Sequence, residues 1–165
     1  MASKELFHLA GEARGLTRAA GCLLIINDRV DIALASQADG VHLGQEDLPL
    51  PVARKLMGRE RIIGISTHDP LQAEAAERGG ADYIGFGPIF GTTTKETGYC
   101  ARGLDMLRQV RKAVKLPIVA IGGITEQNVV QVWNAGADAG AIISDLMRAE
   151  DVAGKVRRIL ALNRQ

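Results

Sequence analysis

Short apolar runs alternate with longer amphipathic segments along the whole chain, and this alternation limits the possible folds more than any other feature. Six runs of four or five residues are poor in charge and rich in β-branched side chains, at residues 22–26, 40–43, 61–65, 82–86, 117–121 and 139–143. Seven segments have helical periodicity, at residues 4–19, 30–37, 50–57, 70–78, 103–114, 126–134 and 151–162. Such a pattern predicts an α/β fold whose parallel strands are buried on both faces.

A weak internal repeat supports this regularity. An Ala-Asp pair stands between a helix and the next strand three times, at residues 38–39, 81–82 and 137–138, as a chain of βα units would produce. The 165 residues are few for an eight-stranded barrel, which typically has about 250, and the chain opens with a helix. We therefore expect one domain over residues 1–165, a TIM-type (β/α)8 barrel truncated at its N-terminus.

The composition argues against several classes of protein. Basic and acidic residues number 20 and 19, without a long basic run, so nucleic acid is not an expected partner. The longest uncharged stretch has twelve residues, 83–94, whereas a membrane span needs about 18. The first residues contain no apolar segment typical of a secretory signal, and Cys22 and Cys100 lack metal-ligand spacing. We expect a reduced, cytoplasmic protein without a membrane partner, with Cys22 packed in its core.

Two carboxylates follow neighbouring predicted strands, at the end of a parallel sheet where ligands bind. Asp28 comes after residues 22–26, and Asp47 comes after residues 40–43. Together they could hold Mg²⁺, which binds one or two carboxylates together with phosphate oxygens and water. The alternative is that each aspartate only caps the helix that follows it. Asn27 has the same two interpretations.

Two further segments have the composition of anion sites. Residues 91–95 read Gly-Thr-Thr-Thr-Lys, so one loop carries three hydroxyls and a cation that could bind phosphate oxygens; an ordinary solvated loop explains it equally well. Gly122 and Gly123 follow one strand, and Ile143 and Ser144 stand at the end of the last. Phosphate sites recur after the last two strands of barrels, although the glycines could also be simple turn residues.

The histidines differ in their expected roles. His8 lies in the opening helix and is expected at the surface. His42 lies inside a strand and is expected to be a hydrogen-bonded core imidazole. His68 stands at a strand end close to Ser66, and of the three it is the best placed to face a pocket.

Five ordered motifs at the strand ends carry a resemblance to a known family. They are Ile-Asn-Asp-Arg at 26–29, Val-His-Leu-Gly-Gln-Glu-Asp at 41–47, Gly-Ile-Ser-Thr-His at 64–68, Gly-Phe-Gly-Pro-Ile-Phe at 85–90 followed by the threonine loop, and Ala-Ile-Gly-Gly-Ile at 120–124. As an ordered set they resemble thiamine phosphate synthase. The resemblance implies a transferase of thiamine biosynthesis that joins 4-amino-5-hydroxymethyl-2-methylpyrimidine diphosphate to thiazole phosphate, releases pyrophosphate and uses Mg²⁺.

The resemblance also implies roles for individual residues. Asp28 and Asp47 would bind the Mg²⁺. Asn27, Ser66 and Lys95 would contact the pyrimidine diphosphate, with Ser66 and Lys95 as the catalytic residues. The thiazole phosphate would be held by Thr92, Thr93, Thr94, Gly123, Ile143 and Ser144. In the family's reaction the diphosphate ionises to a pyrimidine carbocation, which the thiazole nitrogen captures, so catalysis would consist mainly of positioning and electrostatic stabilisation.

The sequence departs from the family pattern in one respect. In the family, a strand ending in Gln-Leu-Arg-x-Lys precedes the helix that opens this chain, and no such segment occurs in this sequence. The six strands would then be the third through eighth of the barrel. We expect the loss of two cations to reduce turnover by this chain, and exposed sheet edges to favour a homo-oligomer.

Two other functions stay open at the level of sequence. One is a non-catalytic fragment that binds thiazole phosphate, and the other is a protein like the related thiazole tautomerase. The aspartate pair and the threonine loop favour the synthase over both the tautomerase and a sugar-phosphate epimerase.

Overall fold

The computed structural model describes residues 2–91 and 100–162, in which helices and strands alternate as far as β6 and two helices follow. The strands are β1 (Ile25–Asn27), β2 (Gly40–Leu43), β3 (Ile62–Thr67), β4 (Tyr83–Phe86), β5 (Ile118–Ile121) and β6 (Ala139–Ala141). The helices are α1 (Ser3–Ala19), α2 (Val30–Ala35), α3 (Leu50–Met57), α4 (Pro70–Arg78), α5 (Gly103–Ala113), α6 (Val129–Asn134), α7 (Ser144–Met147) and α8 (Val152–Leu162). The predicted α/β fold is confirmed.

The chain divides into two compact units, Met1–Ser66 with Ala75–Tyr83, and Thr67–Glu74 with Ile84–Gln165. In the first unit β1 pairs with β2 and β2 with β3, both in parallel. In the second unit β4 pairs with β5 and β5 with β6, again in parallel. The predicted parallel pairing is therefore present in each unit, while a single domain over residues 1–165 stays a prediction.

Each unit buries apolar side chains from its strands and from the helices that follow them. In the first unit the fully buried side chains include Val41, Leu43, Ile63, Ala53 and Met57. In the second unit they include Ile84, Phe86, Ile118, Leu107, Val110, Val129 and Val132. In β2, β3 and β4 consecutive residues are buried, so both faces of these strands are covered, as their unbroken apolar runs predict. In β1, β5 and β6 exposed or half-buried residues interrupt the burial, so the predicted burial on both faces does not hold there.

The start of the first strand differs from the prediction. β1 begins at Ile25, and both Cys22 and Leu23 are exposed, so the prediction that Cys22 packs in the core is wrong. Gly21 has a φ of 66°, and the N–H of Cys22 donates to the carbonyl of Thr17 over 2.8 Å. Cys22 therefore belongs to the closure of α1, which a left-handed glycine commonly provides.

The repeated Ala-Asp pair has a structural role. Each of its aspartates accepts hydrogen bonds from a backbone N–H at the start of the preceding strand and from an arginine of the helix before that strand. The three sets are Asp39 with Leu24 N (2.7 Å) and Arg14 (2.7 Å), Asp82 with Ile63 N (2.7 Å) and Arg54 (2.6 Å), and Asp138 with Ile118 N (2.8 Å) and Arg111 (3.1 Å). These contacts brace the amino ends of the strands, opposite the end where ligands are predicted to bind.

We expect Asp82→Ala to lower the free energy of unfolding by about 1–3 kcal/mol, because it leaves the buried N–H of Ile63 without its acceptor. Urea unfolding measures this change. The matched control is Asp105→Ala, which removes an aspartate that is 93% exposed and pairs with Arg108, with an expected cost of about 0.5 kcal/mol or less. An equal cost for the two variants would contradict the bracing role of Asp82.

Candidate functional site

Asn27 and Asp28 stand at the carboxyl end of β1 with exposed side chains. Their backbone is held by β2, because the N–H of Asp28 donates to the carbonyl of His42 over 2.8 Å. Asp28 has a φ of 63°, a left-handed conformation that aspartate tolerates better than most residues. The pairing of β1 with β2 therefore fixes the backbone position from which the Asp28 side chain extends.

Asp47 lies in the turn after β2 and is half-buried. One carboxylate oxygen, Oδ2, accepts a hydrogen bond from the N–H of Gly44 over 2.7 Å, so the side chain closes its own turn. The residues at the N-cap positions of α2 and α3 are Arg29 and Pro49. Neither aspartate therefore occupies the N-cap position that the alternative interpretation assigned to it.

The two aspartates have the donor chemistry that Mg²⁺ prefers, since both offer carboxylate oxygens. They follow β1 and β2, which are paired in parallel with Asn27 opposite His42. Within residues 2–91 and 100–162, no group of three or more His, Cys, Asp or Glu side chains is arranged to share a metal. A site of two carboxylates completed by phosphate and water is a different arrangement, and it stays a prediction.

Ser66 lies at the carboxyl end of β3 and is held at two points. Its Oγ is 2.9 Å from Nε2 of His42, and its carbonyl accepts a hydrogen bond from Nε2 of Gln45 over 2.6 Å. His42 in turn places Nδ1 2.9 Å from the hydroxyl of Tyr83. His42 is hydrogen-bonded as predicted, but it is half-buried rather than in the core.

The contact of His42 with a predicted site residue was missed by sequence reasoning. His42 pairs with Gly64 across β2 and β3, and Ser66 lies two residues further along β3. Because alternate residues of a strand share a face, this spacing was a usable signal for the contact.

His68 and His8 follow their expected positions in part. His8 is exposed, as predicted. His68 is half-buried, and its Nδ1 lies 2.6 Å from the carbonyl oxygen of Gly87, next to the end of β4. Its ring therefore lies at the strand ends, while its facing a pocket stays a prediction.

In the second unit, the segment after β5 requires glycine at two successive positions. Gly122 and Gly123 have φ values of 98° and 63°. A Cβ on Gly122 would lie 2.6 Å from the Cα of Pro88, and a Cβ on Gly123 would lie 2.6 Å from the carbonyl oxygen of Gly91. Both positions therefore combine a left-handed backbone with close contact to neighbouring backbone.

The side chain of Asn128 also contacts this glycine segment. Nδ2 donates to the carbonyl of Gly123 over 3.0 Å, and Oδ1 accepts from the N–H of Thr125 over 2.8 Å. Residues 125–128 form a turn, in which the N–H of Asn128 also donates to the carbonyl of Thr125 over 3.2 Å, and α6 begins at Val129 rather than at the predicted residue 126.

Ile143 and Ser144 form the start of α7, a four-residue helix that the sequence pattern did not predict. Asp145 ties this helix to two other segments. Its Oδ2 accepts from the N–H of Glu126 over 3.0 Å, and its Oδ1 lies 2.6 Å from Nζ of Lys155. The structure therefore links the segment of Ser144 to the loop after Gly123.

Burial raises the pKa of Asp145, but the hydrogen bonds from Lys155 and from the Glu126 N–H outweigh it and lower that pKa below its usual value. Asp145 is therefore ionised near neutral pH. Sequence reasoning missed both Asp145 and Lys155, and the acidic residue directly after Ser144 was the available signal.

The remaining predicted site residues, Thr92, Thr93, Thr94 and Lys95, lie outside the described residues. Among the helices of residues 2–91 and 100–162, none combines the length and the hydrophobicity that a membrane span requires.

Comparisons with known proteins agree on one family. A family model described as thiamine monophosphate synthase matches residues 1–146. The chain is 52% identical over 157 residues to the thiamine-phosphate synthase of Moorella thermoacetica, covering 95% of this chain and 75% of that protein. It is 48% identical over 157 residues to the thiamine-phosphate synthase of Syntrophomonas wolfei, again covering 95% and 75%.

Solved structures give the same result. A thiamine phosphate pyrophosphorylase from Pyrococcus furiosus superimposes with a TM-score of 0.91 at 40% identity, over 98% of this chain and 77% of that one. A 3-hexulose-6-phosphate synthase matches with a TM-score of 0.72 at 16% identity, over 93% of this chain and 80% of that one, which supports the fold alone. With a family model over most of its length and relatives near 50% identity, the chain belongs to the thiamine monophosphate synthase family.

Proposed function

We propose that this chain acts as a thiamine phosphate synthase, a transferase that joins 4-amino-5-hydroxymethyl-2-methylpyrimidine diphosphate to thiazole phosphate and releases pyrophosphate. The observation that carries the proposal is the 52% identity to a thiamine-phosphate synthase over 95% of this chain. The related tautomerase and the non-catalytic binding fragment are not favoured, because the relatives reported above are named as synthases.

The fold proposal is a TIM-type (β/α)8 barrel in which β1 to β6 correspond to the third through eighth strands. It is supported by the parallel pairing within each unit and by the match to the Pyrococcus furiosus chain. We treat residues 1–165 as one domain of this kind. A cytoplasmic location and a homo-oligomer stay predictions.

In the first unit, Asn27 and Ser66 would bind the pyrimidine diphosphate, and Asp28 and Asp47 would hold Mg²⁺. When bound, the metal would neutralise charge on the leaving pyrophosphate. Support comes from the exposed position of Asp28 and from the turn that orients the Asp47 carboxylate. The fixed Ser66 hydroxyl would orient the pyrimidine ring, which is the positioning that a reaction through a carbocation requires.

In the second unit, Gly123, Ile143 and Ser144 would bind the thiazole phosphate. Support comes from the link between these segments through Asp145 and Glu126, and from the recurrence of phosphate sites after the last two strands of barrels. By the resemblance, Thr92, Thr93 and Thr94 would complete this site, and Lys95 would stabilise the leaving pyrophosphate.

The test is an assay of the purified chain with both substrates and Mg²⁺, measuring thiamine phosphate and pyrophosphate together. The proposal predicts equal amounts of the two products, and no product when either substrate or the metal is omitted. If turnover is absent, calorimetry with thiazole phosphate distinguishes the alternatives. Binding without turnover would favour the non-catalytic fragment. The absence of both binding and turnover would contradict the proposed function.

A further inference from the structure

We infer that Tyr83 and His42 are positioning residues that fix the hydroxyl of Ser66 as a hydrogen-bond donor toward the pyrimidine substrate. The inference rests on the proposed function, in which Ser66 contacts that substrate. It adds two residues to the site and assigns a direction to each hydrogen bond between them.

Three side chains from three strands form a continuous line of hydrogen bonds. Tyr83 lies on β4, His42 on β2 and Ser66 on β3, and the two contacts along the line are each 2.9 Å. All three side chains are half-buried. The rings of His42 and Tyr83 also pack together, with centroids 5.4 Å apart. The imidazole is therefore held on both of its nitrogens.

The tyrosine is fixed by packing as well as by its hydrogen bond. Its ring occupies the space next to Gly64, because a Cβ built on that glycine would overlap the ring and the hydroxyl of Tyr83. Gly64 is itself buried in β3, two residues before Ser66. Because Gly64 has no side chain, the ring of Tyr83 can lie beside it and contact His42, which in turn contacts Ser66.

The donor and acceptor properties of the three side chains determine the direction of each hydrogen bond. Burial raises the pKa of Tyr83 to about 12, so the phenol keeps its proton. A phenol is a stronger donor than acceptor, and neutral imidazole has one acceptor nitrogen. Tyr83 therefore donates to Nδ1 of His42, and the proton of the imidazole resides on Nε2.

The direction at His42 then determines what Ser66 can offer. Because Nε2–H donates to Oγ, the Ser66 hydroxyl keeps its own proton for another acceptor. Gln45 holds the carbonyl of the same residue at 2.6 Å, which limits rotation of the segment. Ser66 is thus prepared to donate to an acceptor on the substrate, such as a ring nitrogen of the pyrimidine.

The first test is Tyr83→Phe, which keeps the ring beside Gly64 and removes the hydroxyl. We expect the KM for the pyrimidine diphosphate, and its Kd by calorimetry, to rise about tenfold, the usual effect of losing one hydrogen bond to a buried partner. The KM for thiazole phosphate should stay within about twofold. The matched control is Thr17→Val, which removes a hydroxyl on α1 that donates to the Arg14 carbonyl, and neither constant should change.

A second variant separates positioning from general damage. His42→Gln keeps a donor that can reach Ser66 and removes the link to Tyr83, so it should bind the pyrimidine diphosphate better than His42→Ala does. In the His42→Gln background, Tyr83→Phe should have little further effect, since the tyrosine acts through the histidine. A full tenfold effect of Tyr83→Phe in that background would overturn the relay.

Nitrogen-15 NMR of histidine-labelled protein gives a readout that does not depend on activity. The chain has three histidines, and the His42 signals are those lost in His42→Gln. We expect a single Nε2–H tautomer in the wild type and a mixture in Tyr83→Phe. An Nδ1–H tautomer in the wild type, or an unchanged spectrum together with unchanged binding in Tyr83→Phe, would overturn the inference. Lack of turnover by the wild type would instead contradict the proposed function.

Discussion

Asp28→Asn should lower kcat/KM at least about 100-fold, because it replaces a charged ligand of the proposed Mg²⁺ site with a neutral amide at the point where pyrophosphate charge develops. Asp47→Asn should have a similar effect. An asparagine at position 47 can still accept the hydrogen bond from the Gly44 N–H, so the turn is preserved and the lost activity reports the charge. Steady-state kinetics over a range of Mg²⁺ concentrations measures both variants, and each should require more metal for half-maximal rate.

Glu46→Gln is the matched control for the two aspartates. Glu46 is exposed in the same turn as Asp47, and it has no assigned role, so its neutralisation should change kcat/KM less than about twofold. A loss in Glu46→Gln equal to that in Asp47→Asn would show that general negative charge, rather than a specific ligand, is responsible. An unchanged Mg²⁺ dependence in both aspartate variants would contradict the metal assignment.

Gly123→Ala is expected to produce the second largest effect, on binding of thiazole phosphate. The new methyl group would occupy a left-handed backbone position and would press against the carbonyl oxygen of Gly91, 2.6 Å from its Cβ. The segment must therefore shift, and the KM for thiazole phosphate should rise at least about tenfold, with a loss of roughly 1–3 kcal/mol in the free energy of unfolding. Kinetics and urea unfolding measure the two changes.

Gly58→Ala is the matched control for this substitution. Gly58 also has a positive φ, of 76°, and nothing lies within 4 Å of a Cβ built there. Its ψ of −173° lies in a region essentially restricted to glycine, so this variant should have a stability cost of roughly 1–3 kcal/mol from backbone strain and no change in either KM. An equal rise of the thiazole phosphate KM in both variants would mean that stability, rather than the shape of the Gly123 segment, controls binding.

The order and type of the main elements could be predicted because the strands read as short, uncharged apolar runs, and consecutive residues are buried in β2, β3 and β4. β2 and α3 match their predicted bounds. The first strand was extended too far because residues 22–24 are also apolar, although Gly21 closes α1 just before them. Helix α7 was not predicted because four residues are too few to express a helical period.

The site could be predicted only as far as strand ends could be found. Asp28, Ser66, Gly123 and Ser144 were predicted as site residues because each lies close to the end of a recognisable strand, and their roles stay predictions. Contacts that depend on pairing between strands were not identified. Tyr83 reaches Ser66 only through His42, and these residues come together because β2, β3 and β4 carry them.

The repeated Ala-Asp pair also shows that contacts between distant residues could not be predicted from the sequence. Its periodicity is visible in the sequence, but its purpose depends on partners such as Arg14 and Leu24, which are 25 and 15 residues away from Asp39. Asp145 is similar, because its partners Glu126 and Lys155 lie in other segments. Single-sequence patterns report local order, whereas these ion pairs and hydrogen bonds are set by tertiary structure.

A crystal structure of this chain with Mg²⁺, pyrophosphate and thiamine phosphate would test the central claim most directly. We expect Mg²⁺ bound by Asp28 and Asp47 and by pyrophosphate oxygens, the pyrimidine within hydrogen-bond distance of Ser66, and the phosphate of thiamine phosphate against Gly123 and Ser144. A metal bound away from both aspartates, or a thiamine phosphate whose phosphate contacts neither Gly123 nor Ser144, would contradict the account.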